Sequence, residues 1–203
     1  MKLGIDLDDV VAECAVPYLR KFAEEFGVDL PPEPGWQTLN EIEDVSWEDK
    51  DRFRIRTYDS TFFADLDIYQ DCPAVLERIV AAGHEIYFVT ARAERRRVVT
   101  ETWLREKGIL EHAKAVHLRP QGDFDPARPR GRYDADSSAR YKVRLAQELE
   151  LDAFCEDDRT ISLALNDARI RVFLFDHPWN REVEGECVER VSGWSELADK
   201  LGV

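Results

Sequence analysis

Nowhere does the 203-residue chain carry an apolar run near the roughly 18 residues that a membrane-spanning helix needs, which excludes a helical span. Glycine and proline show no excess, at 10 and 9 residues, so collagen-like, low-complexity and wholly disordered readings fall away. Basic residues are outnumbered, 28 against 42 acidic, for a net charge of −14. Phosphate backbones and anionic membranes are held by Lys and Arg, so the balance argues against a nucleic-acid polymer or a membrane as partner. It leaves room for a small anionic substrate in one locally positive cleft. Cysteine is limited to Cys14, Cys72, Cys155 and Cys187, far apart and without metal-ligand spacing. They read as free thiols of a reducing compartment. The opening Met1–Asp6 meets a carboxylate before a signal-peptide apolar segment forms, so a cytoplasmic location is expected.

What is present is enough for a real core: 44% apolar and 10% aromatic residues. At roughly 150 residues per domain, the length allows one to two domains. Leu3–Leu7 is short, apolar and followed by carboxylates, which predicts a first strand. Val11 to Phe26 repeats apolar residues at helical spacing and stops at Gly27. After the break at Leu30–Gly35, the stretch Trp36 to Asp71 is rich in aromatics and acids without strand alternation, and reads as a small helical insert. Pro73 opens a helix to Ala82, and His84–Thr90 is the clearest strand. Further helices are expected over Glu94–Lys107, Ser138–Leu149 and Ile161–Ala168, and further strands over Ala113–Leu118, Ala153–Cys155 and Ile170–Phe175. Ser192 is the expected N-cap of a last helix. The long polar stretch Arg119–Ser137 reads as a functional or mobile loop.

Strands alternating with helices imply an α/β fold, a parallel sheet with helices on both faces. Ligands of such sheets bind beyond the carboxyl ends of the strands. Those ends carry Asp6, Asp8 and Asp9, then Thr90, Ala91 and Arg92, then Glu156, Asp157 and Asp158. Lys142 lies on the helix entering the last of them. Crowded carboxylates repel one another unless a cation neutralises them, and Mg²⁺ favours one or two carboxylates with waters and a phosphate. Asp6 is then free to attack phosphorus, and Asp8 to move the proton.

Asp6-Leu7-Asp8-Asp9-Val10, Val89-Thr90-Ala91-Arg92, Lys142 and Glu156-Asp157-Asp158-Arg159 resemble, in order, the four motifs of the haloacid-dehalogenase-like phosphohydrolases. The helical insert, the Thr-Ala-Arg wording and Phe175-Asp176-His177-Pro178-Trp179-Asn180 look like the 5′(3′)-deoxyribonucleotidase branch and its bacterial relatives. The resemblance implies a three-layer Rossmann-like core over residues 1–13 and 73–203 and a helical cap over 14–72. It implies a Mg²⁺-dependent phosphomonoesterase with Asp6 as nucleophile and Asp8 as general acid and base. Thr90, Ala91, Arg92 and Lys142 are the implied phosphate binders. Asp6, Asp8 through its carbonyl, and Asp157 or Asp158 in preference to Glu156 are the implied metal ligands. Asp9 stands where the branch often has Gly.

The implied substrate is a small phosphorylated metabolite, with a nucleoside monophosphate favoured. A sugar phosphate or another small ester is the alternative. A halide-cleaving relative is disfavoured because it has no use for Asp8 or Mg²⁺. A non-catalytic binding protein of the same fold would be expected to have lost one of the acids. Arg95, Arg96 and Arg97 read as a solvated helix face. The aromatics of the insert read chiefly as its core. The four histidines show no ligand spacing and receive no catalytic role.

Overall fold

The structure, a computed structural model, describes residues 1–120 and 135–203. Six strands form one sheet: β1 (Lys2–Ile5), β2 (Glu85–Ala93), β3 (Ala113–Arg119), β4 (Ala153–Glu156), β5 (Arg171–Phe175) and β6 (Val188–Val191). Their order is β3-β2-β1-β4-β5-β6, and every pairing is parallel. β1 is central because both its faces are covered, and Leu3 and Ile5 are wholly buried. Gly4 is required there. A Cβ at Gly4 would stand 2.6 Å from Phe154 Cδ2 and 2.7 Å from Leu151 Cδ1, closer than any side chain tolerates.

The helices are α1 (Ala15–Phe26), α2 (Thr38–Glu41), α3 (Trp47–Asp59), α4 (Cys72–Ala81), α5 (Arg97–Glu106), α6 (Ala135–Glu148), α7 (Arg159–Asp167) and α8 (Trp194–Leu201). α4, α6, α7 and α8 pack on strands of the sheet, and α5 follows β2. α1 to α3 and a 3₁₀ turn at Phe62–Ala64 fill the span between β1 and α4. Tyr18, Leu19, Phe22, Leu39, Val45 and Phe53 give that insert an apolar cluster of its own, with Phe53 edge-on to Phe22 at 5.1 Å.

Local chemistry sets the boundaries. Gly27 ends α1 at φ 64°, a left-handed conformation that glycine adopts without steric cost. Ser46 caps α3 by accepting the Asp49 N–H. α1 begins at Ala15 rather than at Val11, because Leu7–Ala12 closes a tight turn first. The Val11 and Ala12 N–H groups donate to the Leu7 carbonyl, and Asp9 sits at φ 60°. Ser192 does not cap α8. Gly193 holds that position, and the Ser192 N–H and hydroxyl donate to Glu196 instead. β6 has no counterpart among the expected strands: its Val-Glu-Arg-Val sequence is half-exposed at the sheet edge and lacks an apolar run. Of the expected long loop, Arg119 ends β3 and Ala135–Ser137 open α6; residues 121–134 lie outside the described residues. Cys14, Cys72 and Cys155 are buried free thiols, and Cys187 is a partly buried one.

Candidate active site

The carboxyl ends of β1, β2 and β4 lie side by side, since β1 pairs with both of the others. Asp6 follows β1 directly and is tied in place by its N–H donating to the Cys155 carbonyl of β4. Its side chain is buried, and one carboxylate oxygen each from Asp6, Glu156 and Asp157 lie within 4.8 Å of one another. Lys142 reaches into this cluster from α6. Its Nζ donates to Glu156 Oε2 at 2.7 Å and stands 2.9 Å from Asp6 Oδ1. The second contact is an ion pair, and among the described residues the buried Asp6 Oδ1 has no hydrogen-bond partner.

Burial acts on every acid of this group. It pushes the Asp6 carboxyl up to about 7, against the pull of Lys142 and with a further push from Glu156 and Asp8. Asp157 rises well above the carboxylate range through burial and the charges of Asp9, Glu156 and Asp6. Glu156 rises as well, chiefly by burial. Burial opposes the charge of Lys142, yet Asp6 and Glu156 outweigh it and hold the ammonium form.

The fourth-motif triplet divides its work in a way its sequence hides. Glu156 is a mount: Oε2 receives Lys142, and Oε1 accepts the N–H groups of Asp157 and Asp158. Asp157 faces Asp6, with Oδ2 accepting the Trp179 Nε1–H at 2.9 Å and its carbonyl accepting Asn180 Nδ2–H at 2.8 Å. Asp158 stands as the N-cap of α7, its Oδ1 accepting the Ile161 N–H at 2.9 Å. Of the two ligands preferred from the sequence, Asp157 lies in the cluster. Asp158 is engaged in capping, and Glu156, the disfavoured one, joins instead.

Asp8 is half-buried beyond the cluster, gripped by Arg92. Arg92 Nη2 donates to Oδ1 at 2.6 Å and Nε to Oδ2 at 3.1 Å. Arg92, expected at the phosphate, is 3% exposed, and its Nε and Nη2 are engaged by Asp8. Thr90 is fully buried at the end of the regular β2–β3 register, and its Oγ1 accepts the Arg92 N–H, which leaves the hydroxyl proton to donate elsewhere. Ala91, half-buried, lies between them.

Asp9 occupies a backbone conformation suited to glycine, and its carboxylate accounts for the difference. It accepts the N–H groups of Cys14 and Ala15 at the start of α1 and the Trp36 indole N–H at 2.9 Å. Burial pushes it up to about 7, the N–H donors of Ala15 and Cys14 acting against. His177 binds the Asp9 carbonyl and stacks on Trp179 at 4.4 Å between ring centres. Trp36, His177, Trp179 and Asn180 thus brace the acids, although sequence reasoning gave His177 no role. The available signal was position: 177–180 directly follow β5, the strand beside the fourth motif. A cleft of about 620 Å³ opens outside this brace, lined by Glu13, Pro31, Tyr69, His177 and Trp179 among others; Asp9 borders it, while Asp6, Asp8, Thr90 and Lys142 do not.

Residues 1–119 match the family model described as 5′ nucleotidase, deoxy (Pyrimidine), cytosolic type C protein. A Bacillus cereus protein titled "Putative nucleotidase" is 23% identical over 98% of this chain and 97% of its own. A nucleotidase of Clostridium acetobutylicum is 24% identical over 78% of this chain and 71% of its own. Among solved structures, a haloacid-dehalogenase-like family hydrolase of Streptococcus pneumoniae superposes with a TM-score of 0.65 at 12% identity, covering 98% of this chain and 97% of that one. The Mycobacterium tuberculosis Protein Tyrosine Kinase A superposes at 0.70 and 16% identity, covering 100% and 98%. At these identities the superpositions establish the fold alone.

Proposed function

Since the chain belongs to the family described as 5′ nucleotidase, deoxy (pyrimidine), cytosolic type C protein, and is thereby a phosphoric monoester hydrolase of the haloacid-dehalogenase-like superfamily, we propose that it hydrolyses nucleoside monophosphates through an aspartyl-phosphate on Asp6, with Mg²⁺ bound. The observation that carries this reading is the buried Asp6 oxygen without a hydrogen-bond partner, facing Asp157 within a cluster whose one ammonium is Lys142. The donor set fits a hard divalent ion, being all oxygen and in excess negative charge. Asp6, Asp157 and the Asp8 carbonyl would hold it. When bound, the ion offsets charge on the phosphoryl oxygens.

The remaining chemistry belongs to the chain. The Asp6 carboxylate attacks phosphorus, the ester P–O bond breaks, and the leaving oxygen takes the proton of Asp8. A water then loses its proton to Asp8 and attacks the same phosphorus. The P–O bond to Asp6 breaks, which releases inorganic phosphate and restores both aspartates. Thr90 through its hydroxyl, Ala91 through its N–H and Lys142 through its ammonium hold the other phosphoryl oxygens, where charge develops. The α1–α3 insert, residues 14–72, acts as the cap that excludes water and selects the leaving group. The family's cytosolic description and the free thiols support a cytoplasmic location.

The test is phosphate release from a panel of deoxyribo- and ribonucleoside monophosphates and sugar phosphates, with Mg²⁺ and with a chelator. Release from nucleotides that requires the metal and is abolished in Asp6→Asn is expected. Undiminished turnover in the chelator or in Asp6→Asn sinks the mechanism; preference for sugar phosphates sinks the substrate assignment.

A further inference from the structure

Arg92 combines three features that an ordinary surface arginine lacks. It is 3% exposed. Its guanidinium lies over Phe63, from the insert, at 4.9 Å and over Trp103, from α5, at 5.2 Å. Its Nε and Nη2, one edge of the guanidinium, donate to the two oxygens of Asp8, in the planar geometry that fixes a carboxylate in rotation as well as in place. A buried guanidinium is costly without partners, and among the described residues Nη1 has none, so the fold retains a cation whose hydrogen-bonded side-chain partner there is the proposed proton carrier.

We propose that Arg92 is a positioning residue for the hydrolysis, holding the Asp8 carboxyl at the one orientation from which its proton reaches the leaving oxygen. The inference rests on the reading of Asp8 as general acid and deepens it. The fork grips one edge of the carboxyl, and each oxygen retains a second lone pair for the transferred proton. The aromatic contacts immobilise the guanidinium itself. Because Phe63 belongs to the insert and Trp103 Nε1 donates to the Leu66 carbonyl just beyond it, docking of that segment and alignment of Asp8 depend on the same side chain.

A residue that aligns a proton donor matters in proportion to how badly the leaving group needs the proton. Alkyl esters such as nucleotides need it; 4-nitrophenyl phosphate, whose leaving oxygen is a stable anion, does not. Arg92→Lys, which keeps the charge and loses the fork, is compared with Arg92→Met and Asp8→Asn on both esters, each variant first checked for its thermal transition. Arg92→Lys is expected to lose about 10- to 100-fold in kcat on the nucleotide but only a few-fold on the aryl ester, with KM little changed. In the Asp8→Asn background, Arg92→Lys should cost almost nothing more on the nucleotide. Equal losses on both esters, or a full further loss in the Asp8→Asn background, overturn the proposal while leaving Asp8 as the acid. If Asp8→Asn itself fails to discriminate the esters, the general-acid reading falls and takes the proposal with it. Should Arg92→Met not fold, the comparison of Arg92→Lys with Asp8→Asn still decides.

Discussion

Raising the pH should weaken the metal-free protein, and Mg²⁺ should cancel the effect. Asp6 has an ordinary value of 3.8 in the unfolded chain and about 7 when folded, burial being the main cause. Between those values the folded state keeps a proton that the unfolded state has released. The stability this proton confers is complete below 3.8 and is lost as the pH rises through 7. Between about pH 5 and pH 8 the loss is about 2.5 kcal/mol from Asp6 taken alone. At roughly 2–4 °C per kcal/mol for a chain of this length, that is a fall in Tm of about 5–10 °C. Asp9, Asp157 and Glu156 are raised too and act in the same direction. His84, His117 and His177, each lowered by burial, act the other way below their ordinary 6.5. Lys142, held charged throughout, contributes no slope. Thermal unfolding followed by circular dichroism, in chelator and in excess Mg²⁺ across this pH range, measures the effect. The Tm in chelator should fall toward pH 8, the gain from Mg²⁺ should be larger at the alkaline end, and Asp6→Asn should flatten the chelator curve. A metal-free Tm that is level or rising, or an Mg²⁺ gain independent of pH, would refute the reasoning.

Lys142→Met should destabilise the metal-free fold by about 3–5 kcal/mol near neutrality, because it leaves Asp6 and Glu156 buried without their cation; urea unfolding that matches the parent would contradict this. Trp179→Phe removes the indole donor from Asp157 and should weaken Mg²⁺ binding about 10- to 100-fold without altering the far-UV spectrum, as read by calorimetric titration. Unchanged affinity would mean that Trp179 braces the loop alone.

Much of this architecture could be read before any coordinates. Short apolar strands alternating with periodic helices are the direct imprint of a sheet covered on both faces, and five of the six strands followed from that; the four motifs came from the family resemblance. β6 escaped because an edge strand is buried on little of its surface and carries no apolar run. α1 was expected four residues early because Val11 and Ala12 have helical spacing, whereas Asp9 at φ 60° turns the chain back before the helix starts. The site was legible in its residue types but not in their division of labour. Nothing in Glu156-Asp157-Asp158 tells which acid caps a helix, which carries a lysine and which faces the nucleophile; the pleat of β4 and the start of α7 decide that. Arg92 was ambiguous for the same reason, since a cation after the Thr90 strand end suits a phosphate and an aspartate equally well, and the structure pairs it with Asp8.

Charge accounts for why these placements belong together. Asp9 and Asp158 direct their charge at backbone N–H groups opening α1 and α7, where helix ends are partially positive. The four remaining acids, Asp6, Asp8, Glu156 and Asp157, face two cations, Lys142 and Arg92, which leaves two formal negative charges in a buried space. Two charges on hard oxygens match a divalent ion and are only half met by a monovalent one. When no ion supplies them, protons do, and the raised carboxyls of Asp6 and Asp157 are that substitution at work. Metal and protons therefore compete for one deficit, which ties the pH dependence of stability to the affinity for Mg²⁺. Either inward cation replaced by a neutral side chain should sharpen that competition, raising the carboxyls further when the metal is withheld and steepening the fall of stability with pH.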